Sequence, residues 1–327
     1  MKIIEGFDSA RAFFSRRAAG VAKIDEEREQ TVRQIVGDVR QQGDKALLAF
    51  TEKFDGVKLA SLEVNQDAID RAYHETDKEL IKALEIAAER ITAYHLEQRK
   101  ALVKDNKNSR LGWMMRPLNR IGVYIPGGTA PLPSSLLMTV VPARTAGVKE
   151  IFVATPPQKD GRISSVTLAA AKIAGVDRVF SVGGAQAIVA FAYGTESVPA
   201  VDKIYGPGNI YVTLAKKMVY GTVGIDGLYG PSEVIIIADD TANPAFVAAD
   251  LLAQAEHGSM ATAIMITTSK KTADAVNHEI AGQLKNLTRR DIIADGLEKR
   301  GLIAIVNTFD EAIELSNLYA PEHLCLV

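Results

Sequence analysis

Residues 120–128 read Arg-Ile-Gly-Val-Tyr-Ile-Pro-Gly-Gly, an apolar run that ends at a Pro-Gly-Gly turn. An apolar run that stops at such a breaker is typical of a buried strand. A helical pattern follows over residues 134–146, and a second apolar run covers residues 151–154. Strands that alternate with helices at this spacing predict a parallel sheet with right-handed crossovers.

The same alternation continues to the end of the chain. Before Gly230 it predicts helices over 166–174, 185–193 and 209–219, and strands over 178–181 and 203–205. After Gly230 it predicts strands over 233–238, 261–267, 301–306 and 324–327, and helices over 244–257, 271–284 and 309–319. The chain therefore contains two consecutive α/β modules of similar size.

The N-terminal region has a different pattern. Residues 7 to about 105 are charged and periodic, as amphipathic helices are. Over residues 24–49 the apolar stripe consists of Val32, Ile35, Val39, Leu47 and Leu48. The expected fold class is α/β, with two Rossmann-like parallel-sheet domains and a helical N-terminal region.

Composition limits the functional class. The net charge of the 327 residues is −2, which gives no support for a nucleic-acid or anionic membrane partner. The single cysteine excludes an intrachain disulfide and suits a reducing compartment. No stretch approaches ~18 uninterrupted apolar residues, and the N-terminus does not resemble a signal peptide. We expect a cytoplasmic protein.

Four glycine-rich turns carry the first functional signal. They cover residues 124–129, 182–186, 205–209 and 229–233, and the first three each follow a strand and lead toward a helix. Glycine allows the backbone to approach a ligand and frees N–H groups for an anion. Three such turns on one sheet edge favour a nucleotide or pyrophosphate, although tight-turn geometry alone explains any single one. A Gly-x-Gly-x-x-Gly motif and a Gly-Lys-Ser/Thr loop are both missing, which argues against a standard Rossmann motif and an ATPase.

Polar side chains in these turns are candidate ligand contacts. Gln186 and Asn209 are amides at predicted helix starts, able to bond a ribose hydroxyl or a carboxamide. Tyr124 is an aromatic side chain that could stack on a ring. Each of the three is also explained as a cap or a packing residue.

Two histidine motifs carry the second signal. Gln254 and His257 lie three residues apart, so on a helix they share a face and can point at one metal ion. Glu322 and His323 place two proton-transfer groups side by side. Both motifs also have a structural explanation. His257 can interact with the negative end of a helix dipole, and Glu322 can begin a helix, since Pro-Glu is a common helix opening.

Six segments in order resemble the histidinol dehydrogenase family. They are Gly-Val-Tyr-Ile-Pro-Gly-Gly, Val-Gly-Gly-Ala-Gln-Ala-Ile, Asp-Lys-Ile-Tyr-Gly-Pro-Gly-Asn, Gly-Pro-Ser-Glu-Val, Asp-Leu-Leu-Ala-Gln-Ala-Glu-His and Ala-Pro-Glu-His-Leu. The resemblance covers residues 120–327 and extends to the helical N-terminus. It implies oxidation of L-histidinol through L-histidinal to L-histidine, with NAD and zinc as cofactors, in a homodimer.

The resemblance also implies a role for each candidate residue. Tyr124, Gln186 and Asn209 match NAD contacts. Ser232 matches a substrate contact, and Gln254 and His257 match zinc ligands that also face the substrate. Glu322 and His323 match the catalytic acid–base pair, and His323 also matches a substrate contact. The expected organisation is an N-terminal arm (1–20), a first α/β domain (21–119 plus 234–327) and a second domain on the NAD side (120–233).

Two departures from the family pattern affect the expectation. The remaining zinc ligands of the family, an aspartate and a histidine, would lie beyond Val327. We therefore expect a C-terminally truncated chain with weak or absent zinc binding, little turnover and an uncertain oligomeric state. Tyr229 stands where the family more often has a small residue, so the substrate is open. The alternatives are oxidation of another alcohol, such as a sulfopropanediol, and an inactive nucleotide-binding fragment.

Overall fold

A computed structural model gives the fold. It describes residues 1–102, 114–127, 131–258 and 260–327, without the side chains of residues 15–25. The end of the first glycine turn, residues 128 and 129, and the end of the predicted helical region, residues 103–105, lie outside the described residues. The chain forms two compact units, Met1–Glu26 with Gly230–Val327, and Glu27–Tyr229.

The unit of residues 27–229 contains a five-stranded parallel sheet. Its strands are β2 (Arg120–Tyr124), β3 (Glu150–Thr155), β4 (Arg178–Ser181), β5 (Lys203–Tyr205) and β6 (Gly224–Ile225). The helices between them are α5 (Pro133–Ala146), α6 (Ser165–Ala174), α7 (Gly184–Tyr193) and α8 (Ile210–Val219). The strand order is β4-β3-β2-β5-β6, so the winding direction reverses between β2 and β5. In open α/β sheets ligands bind at the carboxyl ends of the strands beside such a reversal.

The other unit contains a second five-stranded parallel sheet. Its strands are β1 (Lys2–Glu5), β7 (Glu233–Ala238), β8 (Thr262–Thr267), β9 (Leu302–Ile305) and β10 (His323–Leu326), in the order β1-β9-β8-β7-β10. Its helices are α9 (Pro244–Ala255), α10 (Lys270–Gln283), α11 (Arg290–Arg300) and α12 (Phe309–Tyr319), with a short 3-10 helix at Leu284–Asn286. Most of the predicted elements are therefore confirmed, and the α/β fold class with two parallel sheets is correct.

The N-terminal helices are α1 (Phe7–Gln42), α2 (Asp44–Asp55), α3 (Gln66–Glu75) and α4 (Lys78–Leu102). Helix α1 contains the boundary between the two units. The predicted apolar stripe is buried at Val32, Ile35, Val39 and Leu47, in one cluster with Phe180. None of the described helices is both long and apolar enough to cross a membrane.

The observed division differs from the predicted domains. Residues 27–119 belong with the 120–229 sheet, because the apolar faces of α3 and α4 pack against it. Ile69 and Leu84 share a buried cluster with Ile121 and Leu137. The predicted arm also needs correction, since Lys2–Glu5 is an edge strand paired in parallel with β9. An apolar stripe predicts that a helix face is buried, but it does not specify which sheet covers that face.

Candidate active site

A cavity of about 430 Å³ lies at the carboxyl ends of the strands in the 27–229 unit. Its wall includes the turns after β2, β3 and β4 and the start of α8. The lining residues are Thr31, Ile35, Phe54, Asp55, Tyr124, Gly127, Pro156, Pro157, Gly183, Gly184, Ala185, Gln186, Asn209 and Tyr211. The three predicted cofactor residues, Tyr124, Gln186 and Asn209, therefore meet around one cavity beside the reversal between β2 and β5.

The glycines of the turns are required by close packing. A Cβ atom added at Gly127 or Gly183 would lie 2.4 or 2.6 Å from side-chain carbons of Pro156. At Gly206, where φ is +119°, a Cβ would lie 2.0 Å from the Tyr124 carbonyl oxygen. These distances are far inside van der Waals contact. The turns are therefore shaped by packing, as the tight-turn alternative predicts, and they also line a cavity.

Tyr124 closes the floor of the cavity. The side chain is buried, and its hydroxyl accepts a 3.1 Å hydrogen bond from the Gly184 backbone N–H at the start of α7. Burial raises the pKa of the Tyr124 phenol to about 12. The hydroxyl therefore stays protonated and keeps a hydrogen to donate.

The two amides differ in their local roles. Gln186 lies in the first turn of α7 and is almost completely buried. Asn209 is the N-cap of α8, where its Oδ1 accepts hydrogen bonds from the backbone N–H groups of Tyr211 and Val212, at 3.0 and 3.2 Å. The cap interpretation of Asn209 is thus correct. Capping uses the amide oxygen, so the Asn209 amide nitrogen is the group that can donate to a ligand.

Asp55 is a lining residue that the sequence interpretation missed. It is the last residue of α2, before Gly56, whose φ of 72° places it in the left-handed region. The Asp55 Oδ2 atom is buried without a hydrogen-bond partner, and burial raises the pKa of the carboxyl group. The signal in the sequence was a carboxylate just before a helix-ending glycine, where the helix dipole disfavours negative charge.

A buried ion pair fixes the Gly206 turn. The Lys216 ammonium donates to the Gly206 carbonyl at 2.5 Å and to Asp226 Oδ1 at 2.6 Å. Asp226 Oδ2 accepts from the Gly206 backbone N–H at 2.8 Å. Both ends of the pair are therefore satisfied, and they hold the turn in the left-handed conformation. This pair was also missed, because its two members lie on separate elements.

The second group of predicted residues lies in the other unit, at the amino ends of its strands. In the register of the sheet, Glu233 pairs with Thr262 and Val234 pairs with His323. The Ser232 carbonyl accepts from the Thr262 N–H at 3.0 Å. Helix α9 runs from β7 back to the start of β8, so its C-terminal end is at the same edge. The two histidine motifs thus share one edge of the sheet, and it is the edge opposite to the one expected for ligands.

Glu322 and His323 form an exposed pair at that edge. Glu322 Oε2 accepts from the Glu233 backbone N–H at 3.3 Å, and Glu322 Oε1 lies 3.9 Å from His323 Nε2. Both side chains are about half exposed. Ala320, the C-cap of α12, has φ of 53°, a left-handed conformation that is strained for a residue other than glycine. Strained backbone of this kind clusters at functional sites.

Gln254 lies in the last turn of α9, whereas His257 follows the end of that helix. Helix α9 ends at Ala255, so the predicted helix over 244–257 is two residues too long. A turn continues beyond the helix, in which the His257 N–H donates to the Gln254 carbonyl at 3.2 Å. His257 Nδ1 lies 3.2 Å from the Ala253 carbonyl oxygen. A proton on Nδ1 therefore has an acceptor, and Nε2 is left as a ligand atom.

Comparison with known proteins identifies the family. The sequence model of histidinol dehydrogenases matches residues 19–327. The chain belongs to the histidinol dehydrogenase family. A histidinol dehydrogenase of Dehalococcoides mccartyi strain CBDB1 is 51% identical, over 100% of this chain and 78% of its own length. One from Streptococcus mutans is also 51% identical, over 90% of this chain and 69% of its own. A histidinol dehydrogenase crystal structure from Elizabethkingia anophelis superposes with a TM-score of 0.79 at 40% identity, over 91% of this chain and 69% of that one.

The donor set for a metal in this histidinol dehydrogenase relative is small. Within the described part of the chain, no group of three or more His, Cys, Asp or Glu side chains is arranged to hold a metal ion. Gln254 and His257 supply one amide oxygen and one imidazole nitrogen. The Gln254 side chain is buried, and its Nε2 has no hydrogen-bond partner. These two residues fit a zinc site in chemistry and supply about half of the usual tetrahedral shell.

Proposed function

We propose that this chain is an NAD-dependent zinc dehydrogenase that oxidises L-histidinol through L-histidinal to L-histidine. The observation that carries the proposal is the meeting of Tyr124, Gln186 and Asn209 around one cavity, in a member of this family. The glycine turns that line the cavity support the proposal. So do Glu322 and His323, which form an acid–base pair at the amino edge of the other sheet. The reaction removes four electrons, so each histidinol consumes NAD twice.

The cavity suits a dinucleotide. Gly183 and Gly184 form the start of α7, where N–H groups and the helix dipole favour a pyrophosphate. Tyr124 and Asn209 each offer a hydrogen to a ribose or a carboxamide. The cavity volume of about 430 Å³ is within the range of small-molecule sites.

Zinc would be held by Gln254 and His257, together with donors from outside this pair. When bound, it supplies a Lewis acid that orients the alcohol and lowers the barrier to loss of its proton. The Ala253 carbonyl fixes the tautomer of His257, as backbone acceptors do for other zinc-bound histidines. Ser232, at the same edge of the sheet, would contact the substrate.

The acid–base steps belong to His323 and Glu322. His323 would accept the hydroxyl proton while hydride leaves the carbinol carbon for the nicotinamide, giving the aldehyde. Glu322 would then take a proton from water as it adds to the aldehyde carbonyl. The resulting hydrate loses a second hydride to a second NAD and becomes the carboxylate. The 3.9 Å separation of the Glu322 and His323 side chains is too long for a hydrogen bond between them.

A single-turnover assay tests the proposal. The chain, in excess over L-histidinol and supplied with NAD and zinc, should form NADH, followed by absorbance. We expect slow turnover, because this pair supplies only two zinc donors. The amount of NADH formed per histidinol is therefore more informative than the rate. A sulfopropanediol serves as the competing substrate, since Tyr229 departs from the family pattern. NADH from the sulfonated diol alone, or from neither alcohol, would contradict the proposal.

A further inference from the structure

The Asp55 carboxylate occupies a position that disfavours it in three ways. It ends α2, where the helix dipole is negative. It is half buried, and burial raises its pKa. Its Oδ2 atom is buried without a hydrogen-bond partner. A buried acceptor that is left unpaired costs stability, and a donor from a bound ligand would remove that cost.

The surroundings restrict what that ligand is. None of the described residues that line the cavity is a lysine, arginine or histidine, and Asp55 is the one ionisable carboxylate among them. One carboxylate is too few donors to hold a metal ion. A pair of hydroxyl groups matches the two oxygens of a carboxylate. Phe54, 51% exposed and next to Asp55, adds an aromatic face for a base.

We propose that Asp55 selects the cofactor by accepting hydrogen bonds from the 2′- and 3′-hydroxyls of the adenosine ribose. The inference rests on the proposed NAD-dependent function and adds its specificity-determining residue. A 2′-phosphate at this point would meet a carboxylate, and no described lining residue is a cation that could balance it. NAD should therefore bind and NADP should be rejected, as acidic residues achieve in other dinucleotide folds.

Calorimetric titration of the whole chain with NAD, NADP and 5′-AMP tests the inference. Asp55→Asn keeps the volume and removes the charge, and it should weaken NAD and 5′-AMP binding by about tenfold or more. It should also narrow the NAD-to-NADP affinity ratio. Glu52→Gln, an exposed carboxylate on the same helix, is the matched control and should leave both affinities unchanged.

The outcomes separate the inference from the proposed function. If the unmodified chain does not bind NAD, the proposed function fails. If it binds NAD while Asp55→Asn keeps the same NAD affinity and the same NAD-to-NADP ratio, only the role of Asp55 is overturned. Weakened binding of nicotinamide mononucleotide with unchanged 5′-AMP binding also overturns it, because the carboxylate would then face the other ribose.

Discussion

The two units present their candidate residues in contrasting ways. In the 27–229 unit, residues from four turns line a cavity at the carboxyl ends of the strands, and Tyr124 and Gln186 are buried in its wall. In the other unit, Glu322 and His323 are about half exposed at the amino ends of the strands, at the edge that also bears the proposed zinc ligands Gln254 and His257. The proposed NAD site is therefore a lined cavity, whereas the proposed metal site has two candidate donors among the described residues.

The largest expected effect is on chemistry at the exposed edge. His323→Asn should slow the first NADH formed per histidinol by about 10²- to 10⁴-fold, because the hydroxyl proton loses its acceptor. Glu322→Gln should leave the rate of the first NADH unchanged and slow formation of the second NADH, so that the aldehyde accumulates. Rapid-mixing absorbance measures both steps. His278→Asn, an exposed histidine on α10, is the control. An unchanged rate in His323→Asn would contradict the assigned role.

The next effect concerns the packed turns of the 27–229 unit. Gly206→Ala should lower the free energy of unfolding by about 3 kcal/mol or more, since the new Cβ meets the Tyr124 carbonyl and φ is +119°. Gly221 also has positive φ, +98°, but has nothing within 4 Å of an added Cβ. Gly221→Ala should therefore cost about 1–2 kcal/mol, from backbone strain alone. Equal losses in urea denaturation would show that the close approach at Gly206 is absent.

Much of this fold follows from the sequence. Strands β4, β5 and β7 and helix α12 have the predicted bounds. Helix α12, for example, begins directly after its N-cap Thr308, whose side chain accepts from the Glu311 backbone N–H. Helix α11 was missed, since Arg290–Arg300 is mostly polar and carries few apolar residues. The association of α3 and α4 with one sheet was predicted wrongly, because it depends on contacts between residues distant in sequence.

The candidate site was predictable in part. Glycine turns and the histidine motifs indicate which residues collect at the edges of the sheets, because a parallel sheet aligns its strand ends. The burial of Asp55 and the Lys216–Asp226 pair depend on packing between elements, which local patterns do not contain. The amino-edge position of Glu322 and His323 follows from the direction of the crossovers, and it differs from the general expectation for α/β sheets.

Zinc affinity tests the proposed metal site in the unit that contains Gly230–Val327. The described residues should bind zinc weakly, because the proposed ligands Gln254 and His257 would supply about half of the usual tetrahedral shell. His257→Ala should lower the zinc affinity by a further tenfold or more, as measured by competition with a chromogenic chelator. His278→Asn again serves as the control. Tight zinc binding that survives His257→Ala would place the metal elsewhere.

The smallest effect is the stability cost of Asp55. Its pKa is raised in the folded chain, so the ionised carboxylate destabilises the fold above that pKa. Below the ordinary value of about 3.9 the group is neutral in both states, and the penalty disappears. Asp55→Asn should therefore raise the melting temperature at pH 7, with a difference that shrinks as the pH falls. A difference independent of pH, or a lower melting temperature at pH 7, would contradict this.

Titration of NAD into the zinc-free chain, with a chelator present, tests the central claim most directly. If the cofactor pocket is complete within residues 27–229, calorimetry should give saturable binding of one NAD per chain without metal. A chain that binds NAD only after zinc is restored, or that does not bind it at all, would contradict the claim.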